Sequence, residues 1–358
     1  MLAGMRGILL ASPEQRVLSA TMPRPDMDAP RISRHSAVAG TVLWIIWQWF
    51  AEPFPAAALF ALSPLVLFPL LLRPLLEHEV SPLMRALAWA QLPCALSLPI
   101  AVQMDPGVVA MLAVLPWLGF TSLLAIEALR RLAGLIRSEG LAGLWRSAEL
   151  AVIAGLGFPV IGAGWLVLDR LNIQPFDFSP LIVLLTAVHF HHAGFTLPLS
   201  AGYLGRVHPR DKILRVAALT IVLAVPLVAI GITWSPVVEL IGAWLTAAAA
   251  IVVAIGLLGR VRVVPAVPAL LFAISGACLM AGMVFAGSYS LSEFFGVPWP
   301  DILAMVARTD YTGQIPRLFL NRGARRFVDA SEVYTPPGSN TSFYQAGDFD
   351  RDGRPDIL

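Results

Sequence analysis

The chain has 358 residues, of which 57% are hydrophobic and 13% are charged, and its mean hydropathy is +0.74. Soluble domains carry about 25% charged residues, so the composition excludes an ordinary soluble enzyme and indicates a polytopic membrane protein. The net charge of +2 argues against a nucleic-acid partner, and both cysteines lie in apolar segments, which disfavours a structural disulfide.

The first 36 residues differ in composition from those that follow. Residues 1–36 are polar and rich in Pro, Arg and Asp, which predicts a disordered cytoplasmic leader. Residues 37–288 predict a transmembrane helix bundle, because most apolar segments there reach the roughly 20 residues that a spanning helix needs. We expect about nine transmembrane helices. The segments are 37–52, 55–73, 84–103, 107–129, 147–168, 179–203, 213–233, 236–258 and 263–287.

Basic residues are distributed unevenly between the alternate loops of this bundle. With the N-terminus inside, seventeen Lys and Arg residues fall in the leader and the inner loops, and Arg170 alone falls in the outer loops before residue 288. Cytoplasmic loops are enriched in Lys and Arg. The pattern predicts a protein surrounded by the lipid bilayer, with a cytoplasmic N-terminus and an extracytoplasmic C-terminal tail.

Three histidines lie midway along the apolar run from Ser179 to Tyr203. Ionisable side chains at that depth are costly in lipid and usually face the bundle interior or a wet cavity. Residues three apart share a helix face, so His189 and His192 are expected to converge and His191 to point elsewhere. The alternative is that these rings only form hydrogen bonds across helices. Further membrane-core candidates are Glu149 and Glu239, near the inner and outer ends of their spans.

A soft-metal site is a second hypothesis for the same histidines. Cys94 and Cys278 fall near the middle of their spans, as His189 and His192 do. Two imidazoles and two thiolates would suit a transition metal such as zinc or copper. Free cysteines, however, more often behave as small buried hydrophobic residues.

After the bundle the composition changes again. Residues 289–314 predict an interfacial linker, and residues 315–358 predict short strands and turns. The tail ends in alternate carboxylates, a glycine at the turn and a fourth acid, which is the spacing of a calcium loop. Its predicted calcium ligands are Asp348, Asp350, Asp352, Asp356 and the backbone carbonyl of Arg354. The alternative is an acidic loop without a specific ligand.

The histidine motif also carries a family resemblance. His189-Phe-His-His-Ala-Gly-Phe195 resembles a motif of the YndJ-like family of bacterial integral membrane proteins, and Glu239 with Gly242-Ala-Trp244 looks similar too. The resemblance covers residues 38–308. It implies a polytopic inner-membrane protein, often described as a transporter, with no established activity.

The tail resembles a different family. After Thr309 the sequence departs from the YndJ-like pattern, and residues 318–323 and 346–358 resemble an FG-GAP/VCBS repeat. That family builds calcium-containing β-propeller blades on secreted and surface proteins. A single partial blade cannot close a propeller, because repeat arrays need about three units or more for stability. The chain therefore looks like a junction of two genes.

These patterns favour a transporter or permease of an unknown small solute that uses the histidines as a proton relay or ligand. One alternative is an intramembrane metal-dependent enzyme or redox protein, and another is a non-catalytic surface module with a calcium-binding tail. No nucleophile elbow, Walker loop or dinucleotide fingerprint is present in the sequence. A protein without enzymatic activity is the expectation, and the intramembrane enzyme stays the alternative. The substrate and the oligomeric state are not predicted.

The orientation is testable by labelling. A cysteine introduced by Asn340→Cys, with Cys94 and Cys278 changed to Ser, should react with an impermeant maleimide added to intact cells, because the charge distribution places the tail outside. Reaction only after permeabilisation would contradict the predicted orientation.

Overall fold

A computed structural model describes residues 28–51, 53–78 and 81–295, together with four short strand segments of the tail. Within these residues the chain forms twelve α-helices. They are α1 Asp28–Ala51, α2 Pro55–Leu62, α3 Phe68–His78, α4 Pro82–Gln103, α5 Val108–Glu139, α6 Ser147–Gly157, α7 Pro159–Arg170, α8 Pro180–His191, α9 Leu197–Val207, α10 Lys212–Trp234, α11 Pro236–Arg260 and α12 Ala266–Phe295. The all-α membrane bundle that the sequence predicts is confirmed.

Side-chain caps fix where several helices begin. Ser81, Ser179 and Ser235 each accept a backbone N–H three residues later, and Asp211 accepts those of Ile213 and Leu214. Such caps satisfy N–H groups that have no partner within the helix. A proline follows each of the three serines, at a position where its missing N–H costs nothing. These signals are local, so the sequence boundaries of these spans lie within a few residues of the observed ones.

Eight continuous helical stretches are long and apolar enough to cross a membrane, judged by length and composition over the described residues. The first predicted span, 37–52, corresponds as far as Ala51 to the second part of α1 (24 residues), which is not among the eight. Since α1 begins at Asp28, residues 28–36 of the predicted leader are helical and not disordered. Residues 1–27 lie outside the described part of the chain.

Helix α1 packs antiparallel along the next span. Trp44 Nε1 donates to the Ala58 carbonyl at 3.0 Å, Gly40 lies against the Leu65 backbone, and the Ser33 hydroxyl donates to the Pro69 carbonyl. These contacts advance along α1 as they move back along α2 and α3. The first pair of helices is therefore a hairpin, and Gly40 is required where the two backbones approach most closely.

Two spans are interrupted by a π turn. Ser63–Leu67 separates α2 from α3, and His192–Thr196 separates α8 from α9. In each turn an N–H reaches the carbonyl five residues back: Phe68 to Ser63, and Leu197 to His192. Prolines at Pro64 and Pro198 remove N–H donors at these places. Turns of this kind widen a helix locally and occur frequently at functional sites.

The buried side chains form two clusters. The N-terminal cluster joins α2–α5 to parts of α6–α9 and includes Phe60, Phe68, Trp117 and Phe195. The C-terminal cluster joins α10 and α11 to parts of α6, α8 and α9. Its members include Phe190, Leu204, Ile221, Val225 and Val253. The histidine segment thus lies between the clusters, because Phe190 belongs to one and Phe195 to the other.

The tail contains short antiparallel pairs in its described residues. Strand β1 (Phe319–Asn321) pairs with β2 (Phe327–Asp329), and β3 (Ala346–Gly347) pairs with β4 (Asp356–Ile357). Gly347 lies opposite Asp356 in this ladder. Helix α12 continues to Phe295, which is six residues past the predicted start of the linker at 289.

Candidate functional site

His191 is the buried centre of the histidine segment, with no exposed surface. Its Nδ1 lies 2.8 Å from the Ala187 carbonyl, and Trp117 Nε1 lies 2.9 Å from its Nε2. A carbonyl only accepts and an indole N–H only donates, so Nδ1 carries the proton and Nε2 accepts from Trp117. The ring is neutral, and both of its nitrogens are used in hydrogen bonds.

The surroundings of His191 are mostly aromatic. Phe60 contacts the ring edge to face with centroids 4.7 Å apart, and Phe68 lies at 5.9 Å. Phe68 in turn stacks on Phe195 at 3.6 Å. A Cβ at Gly162 would lie 2.5 Å from His191 Nδ1, so α7 can approach the ring only because residue 162 has no side chain. His191 is thus held by packing from α2, α3, α5 and α7.

His189 and His192 reach different helices. His189 Nε2 donates to the Val225 carbonyl of α10 at 3.2 Å, and His192 Nε2 donates to the Leu59 carbonyl of α2 at 2.9 Å. The convergence expected from their spacing is therefore wrong, because each imidazole extends to a backbone carbonyl on its own side. His191, expected to point away from the site, is the residue that lies innermost.

A polar link joins the two π turns. The Ser63 hydroxyl, at the start of one turn, donates to the His191 carbonyl at 2.9 Å, next to the start of the other. The Thr196 hydroxyl lies 3.5 Å from the same carbonyl. These bonds satisfy a main-chain acceptor where the regular helix pattern is interrupted.

Gln91 is a buried polar residue that the sequence reasoning missed. It is 2% exposed, and its Nε2 donates to the Pro64 carbonyl at 2.6 Å. Its Oε1 is buried without a hydrogen-bond partner among the described residues. A glutamine inside the apolar run 84–103 was the available signal. An unpaired amide oxygen in a low-dielectric interior lowers folding stability by about 1–3 kcal/mol. An apolar side chain at position 91 would pack without that cost.

The four-ligand metal site is not formed. No group of three or more His, Cys, Asp and Glu side chains lies close enough to hold a metal ion within residues 28–295, apart from the short gaps. Cys278 is exposed on α12, and Cys94 is half-buried on α4. The predicted set of His189, His192, Cys94 and Cys278 needed three spans to meet at one point, and sequence depth alone does not decide whether they do.

The two candidate glutamates lie at opposite ends of the bundle. Glu149, in the first turn of α6, forms a two-pronged ion pair with Arg206 at 2.9 and 2.6 Å. Glu239, in the first turn of α11, lies where α11 meets Gly231 of α10 so closely that a side chain at 231 would overlap the Glu239 backbone.

Arg170, the one basic residue in the loops predicted to lie outside, has a structural role. Arg170 is 9% exposed, pairs with Asp169 at 2.7 Å and donates to the carbonyls of Ala101, Val102 and Met104. Those carbonyls end α4 and have no helical partner of their own. Arg170 therefore caps a helix C-terminus.

The predicted calcium ligands Asp348, Asp350, Asp352 and Arg354 lie outside the described residues. Of Asp356, only its backbone position in β4 is described. Closure of the β3–β4 ladder places the two ends of the acidic segment side by side.

The packing of His191 is testable with two glycines of α7. Gly162→Ala should lower the unfolding midpoint in mild detergent and change Trp117 fluorescence, because the new methyl group displaces the His191 ring. Overpacking of this kind costs about 1–3 kcal/mol. Gly164→Ala is the matched control, since a Cβ there meets nothing within 4 Å. Equal midpoints for both variants would contradict the contact.

Comparison with known proteins places this architecture in a family. A family model described as YndJ-like protein matches residues 58–309, and one described as FG-GAP-like repeat matches residues 298–358. The uncharacterized membrane protein YndJ of Bacillus subtilis (strain 168) is 37% identical over 97 residues, which are 27% of this chain and 18% of that protein. No solved structure matches the chain significantly. Because the first match covers more than half of the 358 residues, the chain belongs to the YndJ-like family of membrane proteins and carries an FG-GAP-like repeat at its C-terminal end.

Proposed function

We propose that this membrane protein is a permease for a small solute and that the segment from His189 to Thr196 is the hinge between the helices of its N-terminal and C-terminal clusters. The observation that carries the proposal is the Ser63–His191 bond, which joins two broken helices at their π turns. Interrupted helices that meet inside a bundle are a recurrent feature of transporter binding sites. They supply main-chain polar groups where an unbroken helix has none.

The proposed hinge has a fixed part and two links. His191 is fixed by Trp117 and by the aromatic residues of the N-terminal cluster. His192 ties the segment to α2, and His189 ties it to α10, whose Val225 belongs to the C-terminal cluster. Each link is a single hydrogen bond to a carbonyl, worth about 1 kcal/mol net. Bonds of that strength can be exchanged during a rocking motion of one cluster against the other.

In the proposed permease, Glu149 and Glu239 lie at the two ends of the path that the solute takes through the bundle. The Glu149–Arg206 pair lies where α6 begins and α9 ends, and Glu239 lies at the start of α11. Ion pairs at the ends of a bundle can open and close without exposing a charge to lipid. The N-terminus is proposed to be cytoplasmic and the tail extracytoplasmic, in the bacterial inner membrane, because the basic residues gather at the ends of the spans that adjoin Glu149.

Flux through reconstituted protein tests the permease proposal. Proteoliposomes should equilibrate at least one solute of a panel (glycerol, urea, methylammonium, acetate and glycine) faster than protein-free liposomes in stopped-flow light scattering. His189→Leu and His192→Leu should reduce that flux about tenfold without loss of the folded protein, because each removes one link of the hinge. His35→Leu, outside the hinge, is the matched control.

Two results would count against the permease. One is flux equal to that of empty liposomes for every solute, and the other is unchanged flux in both hinge variants. His191→Leu tests a different property, since it leaves Trp117 Nε1 without an acceptor and should lower stability first.

Calcium binding is proposed for the tail as well. The β3–β4 ladder supports it, because it closes a segment that holds Asp348, Asp350 and Asp352 in the sequence. Four acids wrap oxygen ligands around a hard cation, but Arg351 and Arg354 offset part of their charge.

A weak site is therefore expected. Calorimetry on a peptide of residues 312–358 should give a dissociation constant of about 1 mM, in the range of extracellular calcium modules. Asp350→Asn with Asp352→Asn should abolish the heat, because two carboxylates are lost. Absence of binding by the unchanged peptide at ten times the extracellular calcium level would mark the tail as a repeat that binds no calcium.

A further inference from the structure

The end of α5 projects beyond the length that a bilayer requires. The helix has 32 residues and is about 48 Å long, whereas a bilayer core is about 30 Å thick. After Glu139 the chain makes a 3₁₀ turn, Gly140–Trp145, before α6 begins. We call residues 130–146 the basic elbow.

Within the basic elbow, the 3₁₀ turn folds back on the end of α5. A Cβ at Gly143 would lie 3.0 Å from Leu135 Cγ and 3.3 Å from Glu139 Cβ, so the turn packs on the last turns of the helix. Arg146 Nη1 closes the elbow by binding Glu139 Oε1 at 2.5 Å. The turn is thus held at both sides in a defined shape.

Large apolar side chains of this turn face outwards. Leu141 is 72% exposed and Trp145 is 74% exposed, and neither is needed to pack the elbow against α5. Tryptophan at a helix end is typical of the interface between lipid tails and headgroups. The elbow is therefore suited to lie in that interface.

Cationic side chains accompany these apolar ones. Arg130 and Arg137 are two helical turns apart on one face of α5, about 10 Å from each other, and both are exposed. Arg130 approaches Glu127 only at 4.0 Å, while Arg131 forms the closer contact at 3.1 Å. Between Arg130 and Arg137 lie Ala133, whose carbonyl accepts from Arg137 Nε at 3.2 Å, and Gly134, where a Cβ would meet nothing within 4 Å. Two arginines thus flank an open strip of small residues.

We infer that the basic elbow is a binding site for the headgroup of an anionic phospholipid. The phosphate would lie between Arg130 and Arg137, with Arg146 beside it, and the acyl chains would run along Leu141 and Trp145. Arginine suits this role because its planar guanidinium binds phosphate through two N–H groups. Basic clusters next to spanning helices attract anionic lipid by about fivefold for each residue, which corresponds to about 1 kcal/mol. This inference does not depend on the permease proposal.

The test measures lipid-dependent stability of the full chain. Phosphatidylglycerol and phosphatidylcholine are titrated separately into the purified protein in mild detergent, and the unfolding midpoint is recorded. Phosphatidylglycerol should raise the unfolding midpoint at a concentration at least ten times lower than the concentration of phosphatidylcholine that gives the same rise. Glycerol phosphate, which has the headgroup charge without acyl chains, should give no shift in the same range.

Variants decide whether the elbow is the site. A triple variant should need a phosphatidylglycerol concentration at least tenfold higher for the same rise in the unfolding midpoint. Its substitutions are Arg130→Gln, Arg137→Gln and Arg146→Gln. The matched control is Arg73→Gln, Arg210→Gln and Arg215→Gln, which removes the same charge from other exposed arginines. Equal weakening in both triple variants would overturn the inference, because it would show diffuse attraction, and so would an equal response to the two lipids.

A conservative variant guards against misfolding. If the glutamine triple fails to fold, Lys at the same three positions keeps the charge and loses the two-pronged geometry, and should retain a phosphatidylglycerol preference weakened by about threefold or more. A Lys triple that responds as strongly as the unchanged protein would overturn the role of the guanidinium groups.

Discussion

The fold of this bundle depends on how one imidazole is held in an apolar interior. His191 has no exposed surface, so each ring nitrogen needs a partner, and the protein supplies Trp117 on α5 and the Ala187 carbonyl on α8. The price of burying a polar ring is met only when both bonds are present. This requirement fixes α5, α7 and α8 relative to one another more strictly than apolar packing alone would, because interchangeable side chains of lipid-like character give little directional information.

Much of the architecture could be predicted from local patterns. Hydropathy and length identify the spans, and Ser81, Ser179, Asp211 and Ser235 announce helix starts through short-range capping. Short antiparallel strands in the tail follow from turn residues and β-forming side chains. These features depend on neighbours within a few residues, so the sequence contains the information needed to place them.

The interior of the candidate site could not be predicted in the same way. His191 meets Trp117 across 74 positions, and Ser63 meets the His191 carbonyl across 128. A π turn also leaves no trace in the hydrophobic periodicity of the sequence. It adds one residue to a helix, and the shift cannot be seen when the helix is apolar on all sides. The expectation that His189 and His192 converge used helix geometry correctly but ignored which carbonyl each ring could reach. That choice is made by α2 and α10, which lie far away in the chain.

The π turns have a consequence for how the chain tolerates changes in length. Each extra residue rotates the following helix by about 100° relative to an uninterrupted one. Removing one residue from Ser63–Leu67 would restore a regular helix, but it would turn Phe68 away from Phe195 and His191. Between positions 63 and 67, and again between 192 and 196, the number of residues matters as much as their identity. A deletion that a surface loop would tolerate would here rotate the side chains of the following helix out of the core of the bundle.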